Sequence, residues 1–461
     1  LRRALSNIRK AFGPYADCLI TDRVNIRLAP DVIILNDATS GGELLEDLFI
    51  NDPEFDDWLR DTRMFFDAPQ PSSALESPAP HTSYRRVMSI STDEAVSGEA
   101  GLLQNMLGDI LAERLVATGP VEVYRNQRID PKMPHDRIDV TAYPVGSQWV
   151  FSLSIVEAPK SRHVWSGRTR IDFTAKSNGE SNPFARFCNE AIAALADRKI
   201  NLAANSDPFF VMNFASARLF TGQNSDLRTG MALLDTVVSH QTDAALPLAW
   251  RGFAKLTKAL DSSDTTTELA VSAMEDASKA VALSSSNSTA LALAAHVHLL
   301  LSGDADYARF LAQKALTIDE EDPYAGFAAG TAAFYNGETQ RGLDLVRWSR
   351  ECAQPLTNSF FWDVQNAILG LSTHDFDDCY SSALLASAKM PTYRPALRYL
   401  IAIALLKNLP DEANRYVLRL RQLEPNFDVR RFIEDEYPVP SLRRVGLSEE
   451  TVSRAARMIE Q

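Results

Sequence analysis

The chain has 461 residues, of which 45% are hydrophobic and 23% charged, with a formal net charge of −13. That balance is ordinary for a soluble protein with chain enough for about three cores, and no run of about 18 apolar residues offers a membrane span. The four cysteines, Cys18, Cys188, Cys352 and Cys379, stand too far apart for a zinc knuckle or a CxxC redox pair and point to a reducing cytosol, so neither a metal nor a cofactor is expected.

The chain opens with LRRALSNIRKAFGPYADCLITDRVNIRLAP. At about 100° per residue, Leu1, Ala4, Leu5, Ile8, Ala11 and Phe12 share one arc of a helix, and Arg2, Arg3, Ser6, Asn7, Arg9 and Lys10 fill the other. Gly13-Pro14 stops this helix. Two short strands follow, from Cys18 to Thr21 and from Asn25 to Leu28, joined by a tight turn at Asp22, Arg23 and Val24. Over residues 1–30 the cations Arg2, Arg3, Arg9, Lys10, Arg23 and Arg27 face only Asp17 and Asp22, a local charge of +4 on an acidic protein. Segregated positive charge of this kind is how a site for a polyanion would look.

Residues 31–67 reverse the sign, with eleven acids against Arg60 and Arg63. Their apolar positions (Leu44, Leu45, Leu48, Phe55, Trp58, Leu59 and Phe65) recur at helical spacing, which predicts an acidic helical connector. APQPSSALESPAPHTS, residues 68–83, reads as a proline- and serine-rich linker. Residues 84–200 then alternate as a small α/β domain. SYRRVMSIST is a strand, GEAGLLQNMLGDILAERLVATG a helix and VEVYRN a strand. A meander with turns at Pro144 to Ser147 and Ala158 to Ser161 follows, and NPFARFCNEAIAALADR closes the domain as a helix.

From Asp207 the pattern is helical throughout. Gly303, Gly337, Thr373 and Asn408 mark turn centres separated by 34, 36 and 35 residues, a period similar to that of tetratricopeptide repeats. In that family a small residue five positions after the turn lets the two helices approach. Ala308, Gly342 and Ala413 fit, whereas Asp378 departs from the pattern. Pro323, Pro391 and Pro425 fall where one repeat gives way to the next, and two less regular pairs cover about 207–240 and 244–283. The array of roughly six units spans 207–440, with a terminal helix over 441–461. Such a solenoid leaves a concave groove lined by the first helix of each pair, which would present Asn213, Arg251, Lys255, Tyr335, Trp362 and Arg398 to a protein or peptide partner.

Two further resemblances bear on function. The opening stretch resembles the recognition helix and wing of the winged helix-turn-helix in response-regulator output domains and the antibiotic-regulatory-protein type of activator, where a helix of the form LR.ALS.LRKA.G precedes a hairpin. GELLEDLFINDPEFDDWLRDTR, Gly42 to Arg63, is similar to the segment after the winged helix in those regulators. The family's first strands and helices would precede Leu1, so the chain reads as a fragment that by itself binds an operator poorly. The order of strands and helices in 84–200, with Trp165 near the last strand, resembles the small α/β domain similar to the N-terminal domain of TolB, found between a winged helix and a helical repeat array in bacterial regulators. The resemblance implies a multidomain, mainly α protein: a partial winged helix, a small α/β domain and an α-solenoid of tetratricopeptide-like repeats. It further implies a cytoplasmic transcription regulator that binds double-stranded DNA, with RNA polymerase as one candidate partner and a homo-oligomer as one candidate state. Arg2, Arg3, Ser6, Asn7, Arg9 and Lys10 would face the major groove and nearby phosphates, and Arg23, Asn25 and Arg27 of the wing the adjacent minor groove or backbone.

No catalytic constellation accompanies these features. G-x-x-x-x-G-K-[ST], G-x-S-x-G and H-E-x-x-H are absent, and His296 and His298, two apart on a helix, point to different faces. The reading is therefore of a non-enzyme. The alternative is a scaffold, or the sensory tail of a signalling enzyme such as a class III adenylate cyclase.

Overall fold

The computed structural model describes residues 86–434 except 94–95, 97, 128, 131, 159, 174–182, 197–206, 242–243 and 262–266. Beyond these it describes 437, 439, 442, 452 and 453, and the backbone of 19–21 and 26–28. The chain divides into two units, Leu1–Ala74 and Leu75–Gln461.

In the first unit, β1 (Leu19–Thr21) and β2 (Ile26–Leu28) pair antiparallel, Leu19 opposite Leu28 and Ile20 opposite Arg27. This is a hairpin at the position expected for a wing. Arg2, Arg3, Ser6, Asn7, Arg9, Lys10, Arg23 and Asn25 lie outside the described residues, as do the acidic connector, the linker and most of the expected terminal helix.

In the second unit, alternation of apolar residues builds one sheet from β3 (Arg86–Thr92), β4 (Val121–Arg125), β5 (His135–Val145), β6 (Gln148–Ala158) and β7 (Arg162–Ile171), in the order β4-β3-β5-β6-β7. β3 runs parallel to both β4 and β5, and β5, β6 and β7 form the antiparallel meander. The register places Met88, Ile90, Ile138, Val140, Phe151, Leu153 and Ile155 on one face, all buried. Helices α1 (Gly98–Thr118) and α2 (Pro183–Ala196) cover that face with Leu107, Leu111, Leu115, Phe184, Phe187 and Leu195.

Six helix pairs follow: α3 (Pro208–Arg218) with α4 (Asn224–His240), α5 (Ala245–Asp261) with α6 (Thr267–Leu283), and α7 (Ser288–Val297) with α8 (Ala305–Ile318). α9 (Pro323–Tyr335) with α10 (Thr339–Cys352), α11 (Phe360–Gly370) with α12 (Phe376–Lys389), and α13 (Arg394–Leu406) with α14 (Pro410–Leu423) complete the array. A tetratricopeptide-like helical repeat region thus forms most of a mainly helical protein. Repeat starts are set by capping: Asp322 accepts from the Tyr324 amide at 2.8 Å, and Pro323 occupies the first helical position, where a missing N–H costs nothing.

The turns inside four pairs share a left-handed residue: Gly303 (φ 71°), Gly337 (85°), His374 (57°) and Asn408 (56°). The third turn centre is therefore His374, one residue past the expected Thr373, whose hydroxyl instead donates to the Gly370 carbonyl at 2.7 Å. This corrects the anomaly at Asp378. Five residues after His374 comes Cys379, fully buried, its thiol pushed up to about 12 by burial. A Cβ added to Gly370 would lie 2.9 Å from that sulfur, so the close approach of the two helices is kept in every one of these pairs.

The tightest crossing joins α9 to α10. A Cβ on Gly342 would lie 2.7 Å from the Gly330 carbonyl oxygen and 3.0 Å from the Phe334 nitrogen, both backbone atoms that cannot rotate aside. Gly→Ala in an open helix gains up to about 1 kcal/mol. At this crossing, overpacking costs about 1–3 kcal/mol and wins. Gly342→Ala should therefore lower the urea midpoint without changing the m-value, and a raised midpoint would show that the helices can separate freely.

Candidate protein-interaction surface

Three of the six first helices have no exposed polar face to line a groove. Every residue of α7 from Ser288 to Val297 is buried, as is every residue of α9 from Ala325 to Ala333 and of α13 from Ala396 to Leu405. A helix apolar all round belongs inside a core. The inner ends close on one another through aromatic rings. Phe220 sits 6.1 Å from Trp250, 6.0 Å from Phe253 and 5.0 Å from Phe361, and Phe327 bridges Phe361 at 5.2 Å and His296 at 4.3 Å. Arg394 Nη2 donates to Asn224 Oδ1 at 3.3 Å, tying the sixth pair to the first. The expected open groove is filled by the protein's own side chains.

The residues predicted to line that groove are accordingly placed elsewhere. Trp362 is fully buried, its indole donating to the Pro323 carbonyl at 3.1 Å. Arg398 is buried and bonds Glu424 and the Tyr437 hydroxyl. Arg251 and Lys255 both reach Asp276, at 2.6 Å each, and Arg251 also reaches Asp235 at 3.1 Å. Asn213 donates to the Phe209 carbonyl one turn back at 2.8 Å. Trp362 and Arg398 are thus core residues, not groove contacts, and Arg251, Lys255 and Asn213 are internal ties. Tyr335, at the end of α9, is 41% exposed and alone among the six remains on the surface.

His296 and His298 do point to different sides. His298 is half-buried near Ser278, while His296 stacks on Phe327 inside the core. The Nδ1 of His296 donates to the Ala292 carbonyl at 3.1 Å, which fixes the neutral tautomer and leaves Nε2 buried without a partner. Burial pulls its pKa down to about 4. Among the described residues, no group of histidine, cysteine and carboxylate side chains could hold a metal ion, and no helix is long and apolar enough to cross a membrane.

With the inner face closed, partners must meet the outer surfaces. Two clefts open there. One, of about 370 Å3, lies between α8 and α10 over the small residues Ala329 and Ala333 of α9, with Phe310 61% exposed at its wall. Its rim charges are already spent on each other: Arg309 pairs with Asp306 at 3.0 Å and Glu338 at 3.5 Å, and Arg341 with Glu338 at 2.8 Å. The other, of about 560 Å3, lies beside the edge strand β7, between Thr169, the α2 residues Arg186, Phe187 and Glu190, and Glu351 and Gln354 at the end of α10. The sequence reading had no signal for either, because each joins segments distant in the chain.

The α/β layer is fastened to the array. Arg114 of α1, buried, donates to Asn189 at 2.9 Å and to Asp319, between α8 and α9, at 2.9 Å. Arg86 pairs with the fully buried Asp136 at 2.9 Å and with Asp207 at 3.4 Å, and its guanidinium lies 5.0 Å from the Phe210 ring. Phe209 and Phe210 of α3 belong to the core of the sheet.

No family model matches the chain, and no curated protein does. Solved structures similar to it include YrrB, described as a TPR protein with an unusual peptide-binding site, at 16% identity over 42% of this chain and 93% of that one, with a TM-score of 0.28. PilF of Pseudomonas aeruginosa matches at 16% identity over 46% and 93%, with a TM-score of 0.31. A human IFIT1 dimer with PPP-AAAA matches at 11% identity over 60% and 68%, with a TM-score of 0.40. The repeat architecture itself rests on the helix pairs and turns of this chain.

The buried histidine makes a pH test available. In the unfolded chain it takes a proton below about pH 6.5, whereas in the fold it stays neutral down to about pH 4. The unfolded state binds more protons in that window, so this group's contribution to stability is lost as pH falls from 6.5 towards 4, by up to roughly 3 kcal/mol. His296→Phe, which keeps the stack on Phe327, should lose less stability than wild type between pH 6.5 and 4 in paired urea titrations. Parallel pH profiles would rule out a neutral buried His296.

Proposed function

We propose that this chain is part of a DNA-binding transcription regulator whose basic head reads an operator and whose α/β-and-repeat unit acts, without enzymatic chemistry, as a sensing and protein-contact module. The observation that carries the reading is the antiparallel hairpin Leu19–Thr21 with Ile26–Leu28, formed after a one-sided basic stretch. A hairpin so placed suits a wing, with Arg23 and Asn25 between its two strands in the sequence and Arg27 on its second strand. Net positive charge over residues 1–30 of an acidic chain supports the same reading.

The repeat unit contributes a rigid body with outer clefts, not an open peptide groove. A signal or partner, whether a protein, a peptide or RNA polymerase, would bind its outside and shift promoter output by binding one state of the regulator better than another. YrrB is described as having a peptide-binding site; the same class of partner is proposed here.

Two measurements test the proposal. In the complete regulator, Arg9→Ala with Lys10→Ala should weaken duplex-DNA binding and reduce the slope of log affinity against log salt by about 1.8, two phosphate contacts' worth. Unchanged affinity and slope would remove the head from the DNA interface. A regulator ending near Ser83 should lose its response to signal or change its basal promoter output. If both stay as in the complete protein, the repeats are not the sensor.

A further inference from the structure

We propose that the free edge of β7 is a docking site for an extended acidic segment of a partner protein, which adds to the sheet as a sixth strand. β7 ends the sheet order, and among the described residues its outer backbone groups pair with no other strand or loop. An edge ten residues long is a ready template for another chain.

Its side chains select the occupant. The strand, RHVWSGRTRI, holds no acid. The register sets Ser166, Arg168 and Arg170 on the face of the sheet turned away from α1 and α2, opposite Ser154, Ser152 and Val150 of β6, and all three are exposed. Among the described residues, the guanidinium of neither Arg168 nor Arg170 enters an ion pair or hydrogen bond, whereas that of Arg162, at the strand's start, is matched to Glu157. A second copy of β7 laid alongside would bring arginine against arginine, which disfavours self-pairing. An alternating acidic strand would answer the two free guanidinium groups with every second residue.

The residues between those acids would face the other way, towards α2. There the cavity of about 560 Å3 opens beside Thr169, with Pro183 and Phe187 as apolar walls and Arg186, Glu190, Glu351 and Gln354 as polar ones. Main-chain pairing would supply affinity and this cavity the side-chain selection, as in strand addition generally.

The test uses three synthetic decapeptides: a glutamate–valine repeat, a lysine–valine repeat, and a glutamate–proline repeat of the same charge that lacks half the amide donors. The whole 461-residue chain is titrated with each at about 0.15 M salt, and exchange of the β7 amides is followed. The glutamate–valine peptide should bind and slow exchange along β7, while the other two should not. Arg168→Glu with Arg170→Glu, both on the surface, should weaken that binding about tenfold and favour the lysine–valine peptide. Equal binding of the glutamate–proline peptide would reduce the effect to charge alone and overturn strand addition. Absence of binding by the glutamate–valine peptide would leave the arginines as guards of the edge. Binding of a single-stranded oligothymidylate that depends on Arg168 and Arg170, without peptide binding, would make the face a nucleic-acid site and overturn the proposal as well.

Discussion

Phe220, in the first helix pair, meets Phe361, in the fifth, at 5.0 Å across 141 residues of sequence, and around that contact Trp250, Phe253, His296, Phe327 and Trp362 pack edge to face or stacked. Such rings bury large apolar areas and gain about 0.5–1.5 kcal/mol per pair beyond burial. The ring network keeps the first helices turned inward on themselves. On their other sides these helices carry small residues: Gly252 and Gly330 let the second helices approach to backbone contact, and Gly370 makes room for the Cys379 sulfur.

Charges are set into this core as ties with defined partners. Asp363 of α11 is fully buried, yet Arg350 of α10 reaches one of its oxygens at 2.6 Å and Lys389 of α12 the other at 2.7 Å. Asp276 plays the same part between α5 and α6 through Arg251 and Lys255. Burying such groups costs several kcal/mol of desolvation each, so their net stabilisation is small. What they supply is register, because a slipped helix would leave a charge buried and unpaired. The latches Arg114–Asp319 and Arg86–Asp207 do the same between the sheet layer and the repeats.

The consequence for function is a transfer of the interaction surface. A repeat array whose inner face is solvent-filled recognises peptides from within. Here rings occupy that space, and among the described residues the exposed surface includes the outer helices, the clefts beside them and the edge strand of the sheet. The edge strand itself presents two exposed arginines, Arg168 and Arg170.

The local patterns were legible in the sequence. Period-two alternation identified the strands around Ile138 and Leu153 and the turn read at Pro144 to Ser147, which falls between Val145 and Gln148, and the repeat period identified the small residues Ala308, Gly342 and Ala413, because each depends on neighbours within a few residues or one repeat. The one-residue shift from Thr373 to His374 escaped because a polar residue, not glycine, holds the left-handed turn there. Closure of the groove was half visible: ALALAAHV and FAAGTAAF have no polar face, as a groove-lining helix would need. Tertiary structure alone decided what those apolar faces meet. Whether Trp362 lines a groove or fills a core, and whether Arg398 greets a ligand or Glu424, depends on how helix pairs distant in sequence pack, and no local periodicity encodes a ring contact between residues 220 and 361.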